Sequence, residues 1–320
     1  MNLQTQIPFS PQEPQIDYHS KIVLLGSCFT EHIGEKLEYF KFQNIQNPFG
    51  VIFNPVSIEK LILRALNDTF FTEEDIFQHN EVWYCFEVHS SLSELNKETF
   101  LNRLNVSLKT FKDQLLSASH IVITLGSAWV YWHNETNELV ANCHKIPQQE
   151  FRKELLSAAT ISKSLQHIVS EVQKVNPKVS FIFTVSPVRH LKDGFEENTL
   201  SKAHLISAIH DFLNYQSSIF NLKSAYFPSY EMMMDELRDY RFYEKDMLHP
   251  NETAIDYIWD KFKKVWVDHN TEVLQKEIDI VQKGLLHKPF HPESDAYLKF
   301  KAQLHSKMES VKKRLPYVTF

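Results

Sequence analysis

Lys21-Ile22-Val23-Leu24-Leu25-Gly26-Ser27-Cys28-Phe29-Thr30 holds four consecutive apolar residues, Ile22 to Leu25, in a run that stops at Gly26. An apolar run of strand length without polar alternation suits a strand buried on both faces of a parallel sheet. The glycine lets the backbone turn or approach a neighbour closely, and helical spacing follows over Glu31–Phe40. The pattern recurs twice. A helix over Lys97–Ser119 leads into the strand Ile121-Val122-Ile123-Thr124-Leu125 ending at Gly126, and a helix over Ala159–Val175 leads into Val179–Val185. Apolar strands alternating with amphipathic helices predict a three-layer α/β/α domain around a mostly parallel sheet.

Working outward, residues 1–20 read as an irregular arm rich in proline and glutamine. Residues 21–268 carry the α/β domain, and 269–320 form a C-terminal helical extension of one or two charged helices. Asn44–Pro55 reads as a proline-punctuated loop, after which Ser57–Asn67 places Ile58, Leu61, Ile62 and Ala65 on one helical face. Val82-Trp83-Tyr84-Cys85-Phe86, within Ile76–Val88, predicts a small β-hairpin insertion. Helices are expected over Asn198–Asn214 and Pro250–Val267.

Composition removes several function classes. The 320 residues carry a formal net charge of -6, which leaves no basic surplus for phosphates, so a small substrate is expected and nucleic acid is not. No apolar stretch approaches the ~20 residues that cross a bilayer. The first residues have neither a basic n-region nor an apolar h-region, so no secretory signal is read there. Cys28, Cys85 and Cys143 are odd in number and widely spaced, which suits free thiols and makes the cytoplasm the expected location. None of the 16 histidines pairs at a ligand-motif spacing, so neither a metal nor another cofactor is expected.

In open α/β sheets ligands bind beyond the carboxyl ends of the strands. Ser27 follows the first strand, and Asp246-Met247-Leu248-His249-Pro250 supplies an acid and a base three residues apart. These are the parts of acyl transfer: Ser27 attacks, His249 takes its proton, and Asp246 fixes the imidazole tautomer. Pro250 favours a first helical position, which predicts His249 at an N-cap. The developing oxyanion needs hydrogen-bond donors. The Ser27 and Gly50 amides, the Gly126 turn, and the side chain of Asn142 in Ala141-Asn142-Cys143-His144-Lys145 are the candidates. Trp129, Arg189 and His190 are candidate substrate contacts, through stacking or a guanidinium fork. Each has a plainer use: Ser27 as a helix N-cap, Asp246 as a turn former, Trp129 in packing, Arg189 in an ion pair. Cys28 is a rival nucleophile without an adjacent base, which suits a buried structural thiol better.

Gly26-Ser27-Cys28-Phe29-Thr30 resembles the motif of the GSCFA-domain family, with threonine in place of the final alanine. Further blocks resemble it in order: Asn47-Pro48-Phe49-Gly50, Thr124-Leu125-Gly126-Ser127-Ala128-Trp129, Asn142-Cys143-His144-Lys145, Ser186-Pro187-Val188-Arg189-His190, and Asp246 with His249-Pro250. That family is similar to the SGNH or GDSL-like hydrolases, and the resemblance implies a flavodoxin-like sheet with Ser27, Asp246 and His249 as its triad. It also implies Gly50 as the oxyanion glycine. Gly126-Ser127-Ala128-Trp129 departs from the Gly-x-Asn-Asp block of those hydrolases, so the side-chain donor must come from elsewhere. The expected activity is a cofactor-independent serine esterase removing an acyl group, acetyl-like, from a carbohydrate or small molecule. The rival is a non-catalytic binding protein with Trp129 and Trp132 as its platform.

Overall fold

The computed structural model describes residues 4–219 and 224–320, the side chains of 216–219 excepted. Strand β1 (Lys21–Gly26) runs into α1 (Cys28–Tyr39), and β2 (Gln43–Gln46) is followed by α2 (Pro55–Leu66). A hairpin of β3 (Phe77–His79) and β4 (Val82–Tyr84) precedes α3 (Lys97–Ser117), which leads into β5 (His120–Leu125). Then come β6 (Trp129–His133), β7 (Glu138–Val140), β8 (Phe151–Leu155) and α4 (Ala158–Val175). The chain continues through β9 (Ser180–Val185), α5 (Phe195–Ile219) and β10 (Ser224–Phe227). It closes with α6 (Glu252–Trp266), α7 (Glu272–Leu286) and α8 (Asp295–Arg314).

The central sheet has five parallel strands in the order β10-β9-β5-β1-β2. Numbered among themselves from the β2 edge they run 2-1-3-4-5, the doubly wound flavodoxin-like order. Side chains alternate between the faces. Val23, Leu25, Ile121, Ile123, Phe181 and Phe183 enter the core shared with α2, α3, α4 and α5. Ile22, Leu24, Val122 and Ile182 enter the opposite core with α1 and α6. This two-sided burial is why β1, β5 and β9 read as unbroken apolar runs. Among the described residues no helix is long and apolar enough to cross a membrane.

Two parts differ from expectation. Gln43–Gln46 is a strand where a loop was expected; it sits at the sheet edge, partly exposed, and lacks the apolar signature. The β insertion is larger than one hairpin. Residues 129–155 form a three-stranded antiparallel sheet, β7-β6-β8, joined to the hairpin region by Phe86, which packs on His133 and Phe151. The irregular arm lies along α6, where the Gln12 and Ile16 amides donate to the carbonyls of Val265 and Trp266 at 2.8 and 2.6 Å.

Candidate functional site

Strand order reverses between β1 and β5, which opens a crevice beyond their carboxyl ends. Ser27 and Gly126 stand at the two lips. Gly26 has φ +135°, and a Cβ there would lie 2.1 Å from the Thr124 carbonyl oxygen, so only glycine permits this close approach of β1 to β5. Asn47 braces the turn: its Oδ1 accepts the Gly26 N–H at 2.9 Å. Ser27 occupies the N-cap position of α1, yet its side chain makes no capping hydrogen bond. Its Oγ is buried and, among the described residues, has no hydrogen-bond partner. The plain N-cap use of this serine is therefore not what the structure contains.

Asp246 and His249 form a pair built by one tight turn. Asp246 Oδ1 accepts the backbone N–H groups of Leu248 and His249 at 2.9 and 3.0 Å, while Oδ2 lies 2.6 Å from His249 Nδ1. Met247 takes φ +62° to make the turn. The two backbone donors, and then the imidazole, hold the Asp246 carboxyl down at about 2. With Nδ1 donating to this carboxylate, Nε2 is left as the acceptor a general base needs. His249 is not the N-cap. Asn251 is, accepting the Ala254 N–H at 3.1 Å, and α6 begins at Glu252. A short amide side chain closes the first turn better than imidazole does, which overrides the signal from Pro250.

The turn is tied to the rim through the Arg189 amide, which donates to the Leu248 carbonyl at 3.4 Å. The next residue, His190, stacks on Phe53 with ring centroids 5.8 Å apart. A Cβ added to Gly126 would meet its Nε2 at 3.2 Å. Burial, the Lys202 ammonium and His249 together drive the His190 imidazole down to about 3, so it is neutral. No hydrogen bond links Ser27 Oγ to the imidazole of His249.

The oxyanion candidates fare differently from expectation. The Ser27 amide donates to Thr124 O (3.1 Å), Gly50 to Asn47 O (2.7 Å), and Gly126 to Phe53 O (2.8 Å). Backbone donors expected to be free are therefore engaged, Gly50 within its own turn and Ser27 and Gly126 with carbonyls of distant segments. Asn142 stands across the 89–91 turn from Gly50: Oδ1 accepts from His144 N at 2.8 Å and Ser90 Oγ at 3.2 Å. Trp129 belongs to β6, and its Nε1 donates to Glu197 O at 3.3 Å. Cys28 has its thiol pushed up by burial and by Glu31, the opposite of what a thiolate nucleophile requires.

Lys202 escaped the sequence reading. It is 2% exposed, and its Nζ donates to the carbonyls of Gly126 and Ser186 at 2.8 and 2.9 Å, bridging the exits of β5 and β9. Burial drives it down to about 7. The signal was its register: Asn198, Ser201, Lys202, Leu205, Ile209 and Phe212 are all buried on one stripe of α5.

A cleft of 490 Å³ lies beside the turn, lined by Arg189, Met233, Tyr240, Tyr243, Asp246 and Leu248. A larger cavity of 780 Å³ lies among Phe40, Lys263 and Gln275. Phe40 caps the end of α1 remote from Ser27, so that cavity is away from the carboxyl rim.

The chain matches the sequence model of the GSCFA family over residues 21–262 and that of the GSCFA domain protein, C-terminal domain, over residues 278–320. No curated protein matches it. Among solved structures it is similar to a Streptococcus pneumonia protein named for platelet activating factor, at 9% identity and TM-score 0.39, covering 76% of this chain and 82% of that one. It is also similar to a carbohydrate esterase family 3 protein from Talaromyces cellulolyticus, at 8% identity and TM-score 0.36, covering 80% of this chain and 99% of that one.

Proposed function

Because this chain belongs to the GSCFA family, we propose that it is a serine hydrolase, an esterase that removes an acyl group from a carbohydrate or small molecule. The observation that carries this reading is the pairing of two features on one rim. One is a buried serine hydroxyl free of any capping or hydrogen-bonding duty; the other is an Asp246–His249 couple 2.6 Å apart.

In this reading Ser27 Oγ attacks the ester carbonyl as His249 Nε2 takes its proton. The tetrahedral intermediate collapses, the alcohol leaves with that proton, and Ser27 keeps the acyl group. Water, deprotonated by His249, then releases the acid and restores the serine. Asp246, ionised throughout the neutral range, steadies the imidazolium formed in both halves. Catalytic hydrogen bonds are often long or misaligned before substrate binds, so the unlinked Ser27 and His249 are compatible with this sequence of steps. Among the oxyanion candidates Asn142 Nδ2 is the donor with no acceptor among the described residues, and we assign it that role. The Ser27 and Gly50 amides would join it only after releasing the carbonyls of Thr124 and Asn47.

The engaged amides favour a second reading, a binding protein on the same fold. Covalent labelling by a fluorophosphonate decides between the two. The esterase reading expects an adduct on Ser27, mapped by mass spectrometry, that is absent in Ser27→Ala and slowed at least about a hundredfold in His249→Ala. Folded wild-type protein that takes no label refutes it. A label that survives in Ser27→Ala but not in Cys28→Ser would move the nucleophile to Cys28.

A further inference from the structure

Arg189 has no part in the proton transfers, and its surroundings are unusual for an arginine. It lines the 490 Å³ cleft with Tyr243 and Asp246, and a neighbouring 480 Å³ cleft with Phe195 and Thr199. Along this surface Asp246 is matched by His249, Asp239 by Arg241 and Arg238 by Asp235, while Glu196, which lines the 480 Å³ cleft with Arg189, makes no ion pair among the described residues. Among the described residues no acid pairs with Arg189. Its guanidinium stands 5.8 Å from the Phe195 ring, and its Nε is buried without a hydrogen-bond partner.

Two further buried atoms, on the adjoining residues His190 and Asn198, are also unpartnered among the described residues. Asn198 uses its Oδ1 to accept the His190 N–H at 2.8 Å, leaving Nδ2 unused, and His190 Nε2 has no partner either. Arg189 Nε and Asn198 Nδ2 can only donate, and His190 Nε2 donates in one of its tautomers. Buried polar groups are normally satisfied, so the unpartnered Nε of Arg189, on a residue that lines both clefts, marks a place where an acceptor belongs. The group that offers acceptors, neutralises a guanidinium and matches its planar fork is a carboxylate.

We propose that the substrate bears a carboxylate, bound at Arg189 in the cleft beside the Asp246–His249 turn. The carboxylate lies on either an acidic sugar that carries the ester or an acyl group that ends in an acid. Turnover of such an ester rests on the esterase reading above; recognition of the carboxylate does not.

Matched esters differing by one charge test this. One pair is an acetylated methyl glucuronoside against the acetylated methyl glucoside; the other is nitrophenyl hemisuccinate against its methyl ester. Preference for the anionic member, by at least about tenfold in kcat/KM and carried by KM, is expected in one pair, and that pair identifies which side of the ester bears the acid. In Arg189→Met the ratio falls to near one. Equal rates within both pairs in the wild type overturn the proposal. Should Arg189→Met fail to fold, protection supplies a second readout in the wild type: free glucuronate or succinate slows fluorophosphonate capture at Ser27, whereas glucose does not, and equal capture rates overturn the proposal. If Ser27 takes no label, the esterase reading fails alone. Calorimetry on Ser27→Ala then tests recognition directly: tighter binding of the glucuronoside than the glucoside supports the proposal, and equal binding refutes it.

Discussion

Replacing Asp246 with asparagine keeps the shape of the side chain and turns one acceptor into a donor. In the wild type Oδ1 accepts two backbone N–H groups, from Leu248 and His249, and Oδ2 faces His249 Nδ1. The new NH2 must take one of those two positions. Facing the backbone it would oppose two donors, at a net loss of about 1 kcal/mol for each bond; facing the imidazole it opposes one. The carboxamide nitrogen therefore turns to Nδ1, which must give up its hydrogen, and the imidazole proton moves to Nε2. That nitrogen can no longer accept from Ser27. Restoring the productive tautomer costs about 1–2 kcal/mol, and the imidazolium has lost a charge-assisted bond worth ~1.5–3 kcal/mol. His249 and Asp246 have side chains 43% and 46% exposed, so water recovers part of this. The remainder is about 2–4 kcal/mol, a rate loss of about 30- to 1,000-fold, smaller than the ~10⁴ seen for the same exchange in a buried triad. The rate of fluorophosphonate capture at Ser27, followed by intact mass, reads this directly, with near-UV circular dichroism as the check on folding. A folded Asp246→Asn protein that captures within about threefold of wild type refutes the tautomer argument.

Ser27→Ala should abolish capture and leave stability within about 0.5 kcal/mol of wild type in urea melts, because the hydroxyl makes no bond; loss of a working N-cap would cost ~1 kcal/mol. Gly26→Ala should destabilise by at least about 3 kcal/mol or prevent accumulation, since its Cβ would strike backbone at 2.1 Å and φ is +135°, so an unchanged melting temperature would disprove the close approach. Lys202 gives a pH signature. Its folded-state pKa of about 7 lies below the unfolded value of 10.5, so within that window the unfolded chain holds a proton that the folded chain has released, and stability rises with pH. The stability of wild type minus that of Lys202→Met should therefore grow from about pH 7 to 10, and a constant difference would show that the amine titrates normally. Asp246 has the same sign in a lower window: its folded-state pKa of about 2 also lies below the unfolded value, so its contribution is present above the ordinary carboxylate pKa and fades as pH falls from about 4 toward 2, a fade that Asp246→Asn should lack.

What could be read from the sequence followed burial. β1, β5 and β9 are covered on both faces, so composition alone marks them, and the glycines ending β1 and β5 point to the rim. β2 is Gln-Asn-Ile-Gln at an edge, and β8 is Phe-Arg-Lys-Glu-Leu, largely exposed; neither needs an apolar signature to hold its ladder. The Asp246–His249 spacing was legible because a three-residue turn is local. The engaged state of the Ser27, Gly50 and Gly126 amides was not, since their acceptors come from Thr124, Asn47 and Phe53, some of them far along the chain. Lys202 was missed because a lysine on a helix is ordinarily solvated. Here the carbonyls of two strands replace that water.

The two cores differ in how early in synthesis they can close. The core on one face of the sheet draws its buried side chains from Val23 to Phe212. The other joins Ile16, Tyr18 and Phe42 to Val311, Leu315 and Val318, and the Tyr317 hydroxyl reaches the carbonyls of Tyr18 and Lys41, both at 3.1 Å. On the ribosome, where a chain folds as it emerges, the first face can assemble with its helices while residues near 318 are still unmade. The arm at residues 12–18 can then pair with α6, but its Tyr18 end waits for the segment that seals it. A nascent chain stalled before α8 would carry a built carboxyl rim and an open back, the form on which a chaperone would have most to hold.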